Sequence, residues 1–357
     1  MMPGAALTVG AVALVLALVL PLAARPLLVR AGVLDVPNAR SSHQTPTIRG
    51  MGITTAVALS AGLLTAIFLP QGRVAAGQAQ ATLVVVLLVA VAAAAIGWVE
   101  DIRGLPIALR AGLQLAVGAA ATAAVAVIDP GAQQMWWIPA GAIAVAAYIN
   151  VSNFMDGING ISGMHGLLVG GFYAYGGVVT GHDWLVFAGV AIAAAFAGFL
   201  PWNLGRRKVF MGDVGSYLLG ASISVTAMAA FLAKVPVEYI FSPVLIYLVD
   251  TFVTFLRRLL AGERWYASHR QHVYQRLNIV GLGHLQATAV VSTATVVVSV
   301  LGIIAAQGNS AVQISATALC LAVVLLYLRT PTLFQRYFRH KAAHAPGTGG
   351  PGGAAGE

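Results

Sequence analysis

Charge is scarce in this chain. Only 9% of its 357 residues are Asp, Glu, Lys or Arg, against about a quarter in a soluble domain. Meanwhile 59% are hydrophobic and the mean hydropathy is +0.85. The shortage of charge excludes an ordinary soluble enzyme, and the hydrophobicity excludes an intrinsically disordered chain. Cysteine is nearly missing as well. Cys320 stands alone in an apolar run, which excludes an intrachain disulfide framework and argues against a thiolate-held metal cluster. What remains is the composition of a polytopic membrane protein.

Apolar runs supply the spans. A helix needs roughly 20 mostly apolar residues to cross the hydrocarbon core. Eleven such segments lie near 5–24, 51–70, 81–99, 108–128, 136–151, 164–180, 185–200, 214–232, 238–256, 285–304 and 311–328. The first lacks a basic leading stretch and a clear cleavage signal, so it reads as a span and not as a signal peptide. The predicted fold is therefore an all-α, polytopic membrane helix bundle of about eleven transmembrane helices. Residues 1–330 form one membrane-embedded domain. Residues 331–357 form a basic, then Gly/Pro/Ala-rich tail with the composition of a disordered segment.

The net charge of +9 is a matter of placement. Eighteen of the twenty Lys and Arg fall in one set of alternating connections, and only Arg73 and Lys234 in the other. Positive charge stays cytoplasmic, which sets the N-terminus outside and the longer, polar connections inside, at the inner membrane. Basic loops beside anionic head groups explain the charge without nucleic acid as a partner.

With eleven acidic residues in all, those at the inner ends of spans carry information. GWVEDIR at 97–103 closes the third span with adjacent carboxylates, Glu100 and Asp101. Neighbouring like charges raise each other's pKa unless a cation intervenes. The pair is either a solvated helix end balanced by Arg103 or part of a charged site. NVSNFMDGING at 150–160 is turn-forming, and Asn153, Asp156 and Asn159 gather there without a nearby Lys or Arg. Such a loop either just turns the chain or ligates a cation or polar ligand.

FMGDVGS at 210–216 opens the eighth span. Asp213 is either a helix N-cap or a carboxylate that holds a divalent ion against phosphate, where glycines admit a ligand and the helix N-terminus attracts anions. In HRQHVYQR at 269–276, His269 and His272 share one face if the stretch is helical. The plain reading is an amphipathic loop on head groups, and the functional one is phosphate contact by the histidines and Arg270. A zinc site lacks further ligands. DVPNARSSHQTPTIRG at 35–50 sets hydrogen-bonding side chains, His43 and Arg49 among them, between the first two spans. Asp250 alone sits inside a span, about 10 Å along the helix from Arg257, and reads as a buried acid paired with a neighbouring helix's cation.

These motifs together, and in this order, resemble the polyprenyl-phosphate N-acetylhexosamine-1-phosphate transferases of the MraY/WecA type over roughly residues 5–328. The resemblance implies an Mg²⁺-dependent enzyme, with Mn²⁺ as a substitute. It would transfer a sugar 1-phosphate from a UDP-N-acetylhexosamine to an undecaprenyl-type polyprenyl phosphate, release UMP, and start lipid-linked glycan synthesis on the cytoplasmic face. It also implies a homodimer. By matched position, Asp213 corresponds to the metal-binding aspartate, with Asp156 beside it. Asn203 and Phe210 correspond to positions at the nucleotide. Asn153, Asn159, Arg270, His43 and Arg49 are substrate-binding candidates. Glu100, Asp101, Asp156, His269 and His272 are the catalytic candidates.

This chain departs from that pattern in three places. Glu100 replaces the usual first aspartate, and Asn159 replaces an aspartate of many members. His-Arg-Gln-His stands where the phospho-N-acetylmuramoyl-pentapeptide branch has three successive histidines. The last difference favours the O-antigen, capsule or teichoic-type branch over the muramyl-pentapeptide one. A rival class, a transporter of anionic substrates, would collect its polar groups near the membrane midplane.

Overall fold

The structure, a computed structural model, describes residues 3–35, 47–69, 76–128, 132–205, 209–263 and 269–343. It is almost wholly helical. The helices are α1 (Pro3–Arg30), α2 (Gly52–Phe68), α3 (Ala76–Arg103), α4 (Ile107–Ile128), α5 (Ile138–Met155), α6 (Ile161–Thr180), α7 (Asp183–Leu204), α8 (Gly212–Leu232), α9 (Val237–Phe241), α10 (Leu245–Leu260), α11 (Val273–Ile279), α12 (His284–Gln307) and α13 (Ser310–Ala343). One antiparallel β pairing, β1 (Leu34–Asp35) with β2 (Thr47–Ile48), is the exception.

Helical rods occupy all eleven predicted ranges, with α9 and α10 sharing one. Among the described residues, nine stretches are long and apolar enough to cross a membrane, and α2 is a shorter apolar helix of 17 residues. The remaining rod, α6, has the length, but its glycines and His165 dilute its apolar character. Two boundaries differ from expectation. α1 runs on to Arg30 through Pro21 and Pro26, because a membrane helix can re-satisfy the backbone groups that proline frees. α13 continues through Pro331 to Ala343, so the first part of the predicted tail is helix. Residues 344–357 lie outside the described residues.

The bundle is organised around α8. Residues Val214–Thr226 are buried on every side, and α8 packs against α2, α3, α4 and α5, while α6 pairs with α7, α1 with α7 and α2, and α12 with α13. Small residues make this approach close. A Cβ on Gly97 of α3 would overlap the Asp213 carbonyl. One on Gly52 of α2 would fall 2.6 Å from the Gly215 backbone nitrogen, and one on Gly220 would fall 2.6 Å from the Ile149 Cα of α5. Glycine at these points lets the ends of α2 and α3 converge on the start of α8 and seats α5 against its third turn. Gly97→Ala should therefore destabilise the protein by about 1–3 kcal/mol, as overpacked cores do. Gly77→Ala, with nothing within 4 Å of the new methyl group, should stay within about 0.5 kcal/mol of wild type. Thermal unfolding in detergent compares the two.

Candidate active site at the start of α8

Asp101 has a fully buried side chain. Its Oδ1 accepts from the Asp213 N–H and its Oδ2 from the Val214 N–H, both at 3.0 Å. The first turn of α8 is thus capped by a carboxylate from α3, a favourable placement for negative charge at a helix N-terminus. The helix's own N-cap, Met211, makes no side-chain capping bond, and Asp213 lies inside the first turn and is not itself the cap. Gly212, at φ +74, completes the corner; a Cβ there would sit 2.5 Å from Asp101 Oδ2 and 2.8 Å from the Gly50 nitrogen.

Arg49, just beyond β2, bridges the two acids. Its Nε lies 2.7 Å from Asp101 Oδ1 and its Nη2 donates to Asp213 Oδ2 at 3.0 Å. Asn153, from the last turn of α5, donates to the other oxygen of Asp213 at 2.7 Å and to Ser216 Oγ at 3.1 Å. Main-chain bonds lock the entry: Met51 N–H donates to the Phe210 carbonyl and Phe210 N–H to the Ile48 carbonyl. Phe210 itself is half-buried beside Asp213 in the chain.

Asp156 ends α5, where its Oδ1 accepts from the Ser162 hydroxyl at 2.7 Å. Burial pushes its carboxyl up from 3.8 to about 7. The Ser162 hydrogen bond and Arg49 oppose that rise, and the negative charges of Asp213 and Asp101 reinforce it. Asp156 therefore senses the Arg49–Asp101–Asp213 cluster electrostatically.

Glu100 and Asp101 do not act as a pair. Successive helical residues point about 100° apart, and Glu100 reaches α4, where its Oε1 accepts from Arg110 Nη1 at 2.9 Å. The expected counter-ion Arg103 is replaced by two others, Arg49 for Asp101 and Arg110 for Glu100.

The histidine stretch is not one helical face. His272 is the extended N-cap of α11 (φ −59, ψ 152), because Gln275 turns back to accept its N–H at 3.2 Å and so starts the helix only at Val273. The His269 and His272 rings still lie 4.9 Å apart, with Arg270 between them in sequence. Tyr274 docks the stretch onto the turn after α5. Its hydroxyl donates to the Phe154 carbonyl at 3.0 Å, and Gly157 leaves it room.

Asn159 and Asn203 hold that turn from behind. Asn159 N–H donates to His284 Nδ1 at 3.3 Å, and its carbonyl accepts from the Thr288 hydroxyl at 3.1 Å. Asn203 Oδ1 accepts from the Gly160 N–H, and its Nδ2 donates to the Val209 carbonyl at 2.8 Å.

Arg49, Asp101, Asn153, Asp156 and Asp213 thus meet at one corner, with His269 and His272 tied in through Tyr274. Glu100 lies on the α4 side. His43 lies outside the described residues. Among the described residues no Lys or Arg forms a salt bridge with Asp250, although Arg276 of α11 lies within its electrostatic reach. His272, the Val273 N–H, Thr254 and Tyr327 surround it. Sequence reasoning passed over Arg110, Ser162, Tyr274 and Tyr327. Only Tyr274 carried a local signal, by lying within the histidine motif.

The fold and the site together define a helical membrane bundle with carboxylates, amides and an arginine gathered at helix ends. Residues 83–231 match the pattern of glycosyl transferase family 4. It is 27% identical over 310 residues to the decaprenyl-phosphate N-acetylglucosaminephosphotransferase of Mycolicibacterium smegmatis, covering 75% of this chain and 74% of that protein. It is also 27% identical over 327 residues to the undecaprenyl-phosphate alpha-N-acetylglucosaminyl 1-phosphate transferase of Escherichia coli O157:H7, covering 85% of each. Similarity to the phospho-N-acetylmuramoyl-pentapeptide-transferase of Clostridium botulinum is confined to 174 residues, 48% of this chain.

Because Asp156 titrates higher when folded than its ordinary 3.8, its contribution to stability is complete below pH about 4 and is lost as pH rises through about 7. The melting temperature of the protein in chelator should fall between pH 5 and pH 8. Asp156→Asn should flatten that slope.

Proposed function

We propose that this chain transfers an N-acetylhexosamine 1-phosphate from a UDP-sugar to a polyprenyl phosphate at the cytoplasmic face of the membrane, with UMP as the other product. The observation that carries the reading is the Asn153–Asp213–Arg49–Asp101 network at the start of α8. The activities named for the similar enzymes from Mycolicibacterium smegmatis and Escherichia coli support it, as does the clustering of basic residues on one set of connections. The donor is a UDP-N-acetylhexosamine; the muramyl-pentapeptide alternative has support only over about half the chain.

The reaction is a displacement at phosphorus. An oxygen of the lipid phosphate bonds to the phosphorus that bears the sugar, the bond from that phosphorus to the bridging oxygen breaks, and UMP leaves with the electron pair. Catalysis of this kind is mostly positioning and charge stabilisation. Arg49, with its side chain 35% exposed, supplies a guanidinium at the corner where the diphosphate must lie. Arg270 adds donors from the loop before α11, where the His269 and His272 rings lie 4.9 Å apart. Asp101, whose oxygens are engaged with Arg49 and the α8 backbone, holds Asp213 in place. Asp156 titrates near the second phosphate pKa of about 6 and can take a proton from the acceptor.

Mg²⁺ suits the donor set. Asp213, the Asn153 side chain and nearby Asp156 offer hard oxygens. Mg²⁺ usually takes one or two carboxylates and completes its shell with waters and substrate phosphates. Among the described residues no group of three or more His, Cys, Asp or Glu stands close enough to hold a metal ion by itself. When bound, the ion would neutralise diphosphate charge and ease departure of UMP. Purified protein given radiolabelled UDP-N-acetylglucosamine and polyprenyl phosphate should form butanol-extractable label that a chelator abolishes. Asp213→Asn should lower kcat/KM by at least about 10²-fold, the scale on which lost electrostatic stabilisation is felt. Full activity in that variant would refute the metal assignment.

A further inference from the structure

Asp250 lies in mid-helix in α10 with no exposed surface. A buried carboxylate persists only when hydrogen bonds fill its lone pairs. Three elements supply them. Tyr327 of α13 donates its hydroxyl to Oδ2 at 2.7 Å. The Val273 N–H, at the first turn of α11, reaches both oxygens at 3.1 Å. Thr254, one turn along α10, donates to Oδ1 at 3.3 Å. The His272 ring completes the set, with Nδ1 3.2 Å from Oδ1.

A carboxylate accepts hydrogen bonds and cannot donate them, so the proton of a neutral His272 belongs on Nδ1. That leaves Nε2 as the nitrogen able to act. A second rail fixes the ring plane. Tyr274 stacks on His272 with 13° between the rings and centroids 5.9 Å apart, and its hydroxyl is tied to the Phe154 carbonyl. His272 is thus held in tautomer by α10 and in tilt by α11, beside the turn that carries Asn153 and Asp156.

We infer that Asp250 is a positioning residue for His272. It acts through the imidazole and, being wholly buried, touches no substrate. Tyr327 braces it from α13. The role of His272 toward the diphosphate rests on the proposed transferase reading; the geometry of the carboxylate–imidazole pair does not.

Two measurements test this. The first needs no variant. Nitrogen-15 NMR of histidine-labelled protein in detergent, at about pH 9 where an ordinary imidazole is neutral, should show His272 as the Nδ1–H tautomer; an Nε2–H tautomer overturns the inference. The second is a double-mutant cycle of wild type, Asp250→Asn, His272→Ala and the double variant. Asp250→Asn should lower kcat about 10–100-fold, as lost outer partners of a histidine do, with KM changed less than about threefold. In the His272→Ala background the same change should cost less than about threefold, since its target is gone. Equal losses in both backgrounds would make Asp250 a general structural anchor and overturn the inference. Where turnover is too slow to follow, the same cycle is read on UDP-sugar affinity by calorimetry. Wild-type protein that transfers no label would fail the proposed function while leaving the tautomer readout intact. An active wild type with the wrong tautomer would fail this inference alone.

Discussion

The corner depends on one carboxylate at the end of α3. A helix begins with backbone N–H groups that need acceptors, and in a nearly charge-free bundle few are at hand. Asp101 supplies both its oxygens to two of those groups and, through Arg49, fixes the carboxylate of Asp213 one bond further on. Capping the central helix and building the charged site are therefore the same act. A change that loosens the cap also moves the site, which couples stability to function more tightly than in a protein whose site sits on an independent loop.

Close backbone approach makes this coupling sterically feasible. Gly97 brings α3 against the first turn of α8, Gly52 brings α2 against Gly215, and Gly212 turns the chain where a side chain would strike Asp101. Helices in lipid gain little from burying apolar surface against each other and rely on fit and on hydrogen bonds between them. The glycines supply the fit; Asp101, Asn153 and Asp250 supply the hydrogen bonds. The same side chains then do both jobs, which explains why so few polar residues suffice.

Much of this was legible in the residues alone. The eleven apolar runs marked where the helices lie, because hydrophobic length is a strong signal. The motifs at 150–160, 210–216 and 269–276 stood out for the opposite reason, being polar where little else is. Partner choice was not legible. Glu100 and Asp101 are neighbours in sequence yet serve different helices, since helical geometry separates successive side chains. Arg49 meets Asp213 across 164 positions, and no local rule selects it over Arg40 or Arg103. His272 became a cap and not a helical residue because Gln275 captured its N–H. Asp250 was expected to pair with a neighbouring helix's cation; Arg276 of α11 is within electrostatic reach, but the carboxylate's hydrogen bonds come from Tyr327, Thr254 and the start of α11, which only tertiary packing brings together.

Charge balance gives the corner its chemical sense. Asp101, Asp156 and Asp213 face Arg49, so with all three ionised the four groups carry two net negative charges in a poorly solvated place. Desolvation and mutual repulsion resist that state, and Asp156 answers by keeping its proton to about pH 7. A divalent cation would relieve the same strain by cancelling both charges, and it would favour release of that proton. In the proposed transferase reading, Arg49 would then attract an anionic diphosphate without first overcoming the acids. Neutralising the acids and binding an anionic donor would therefore reinforce each other in that reading.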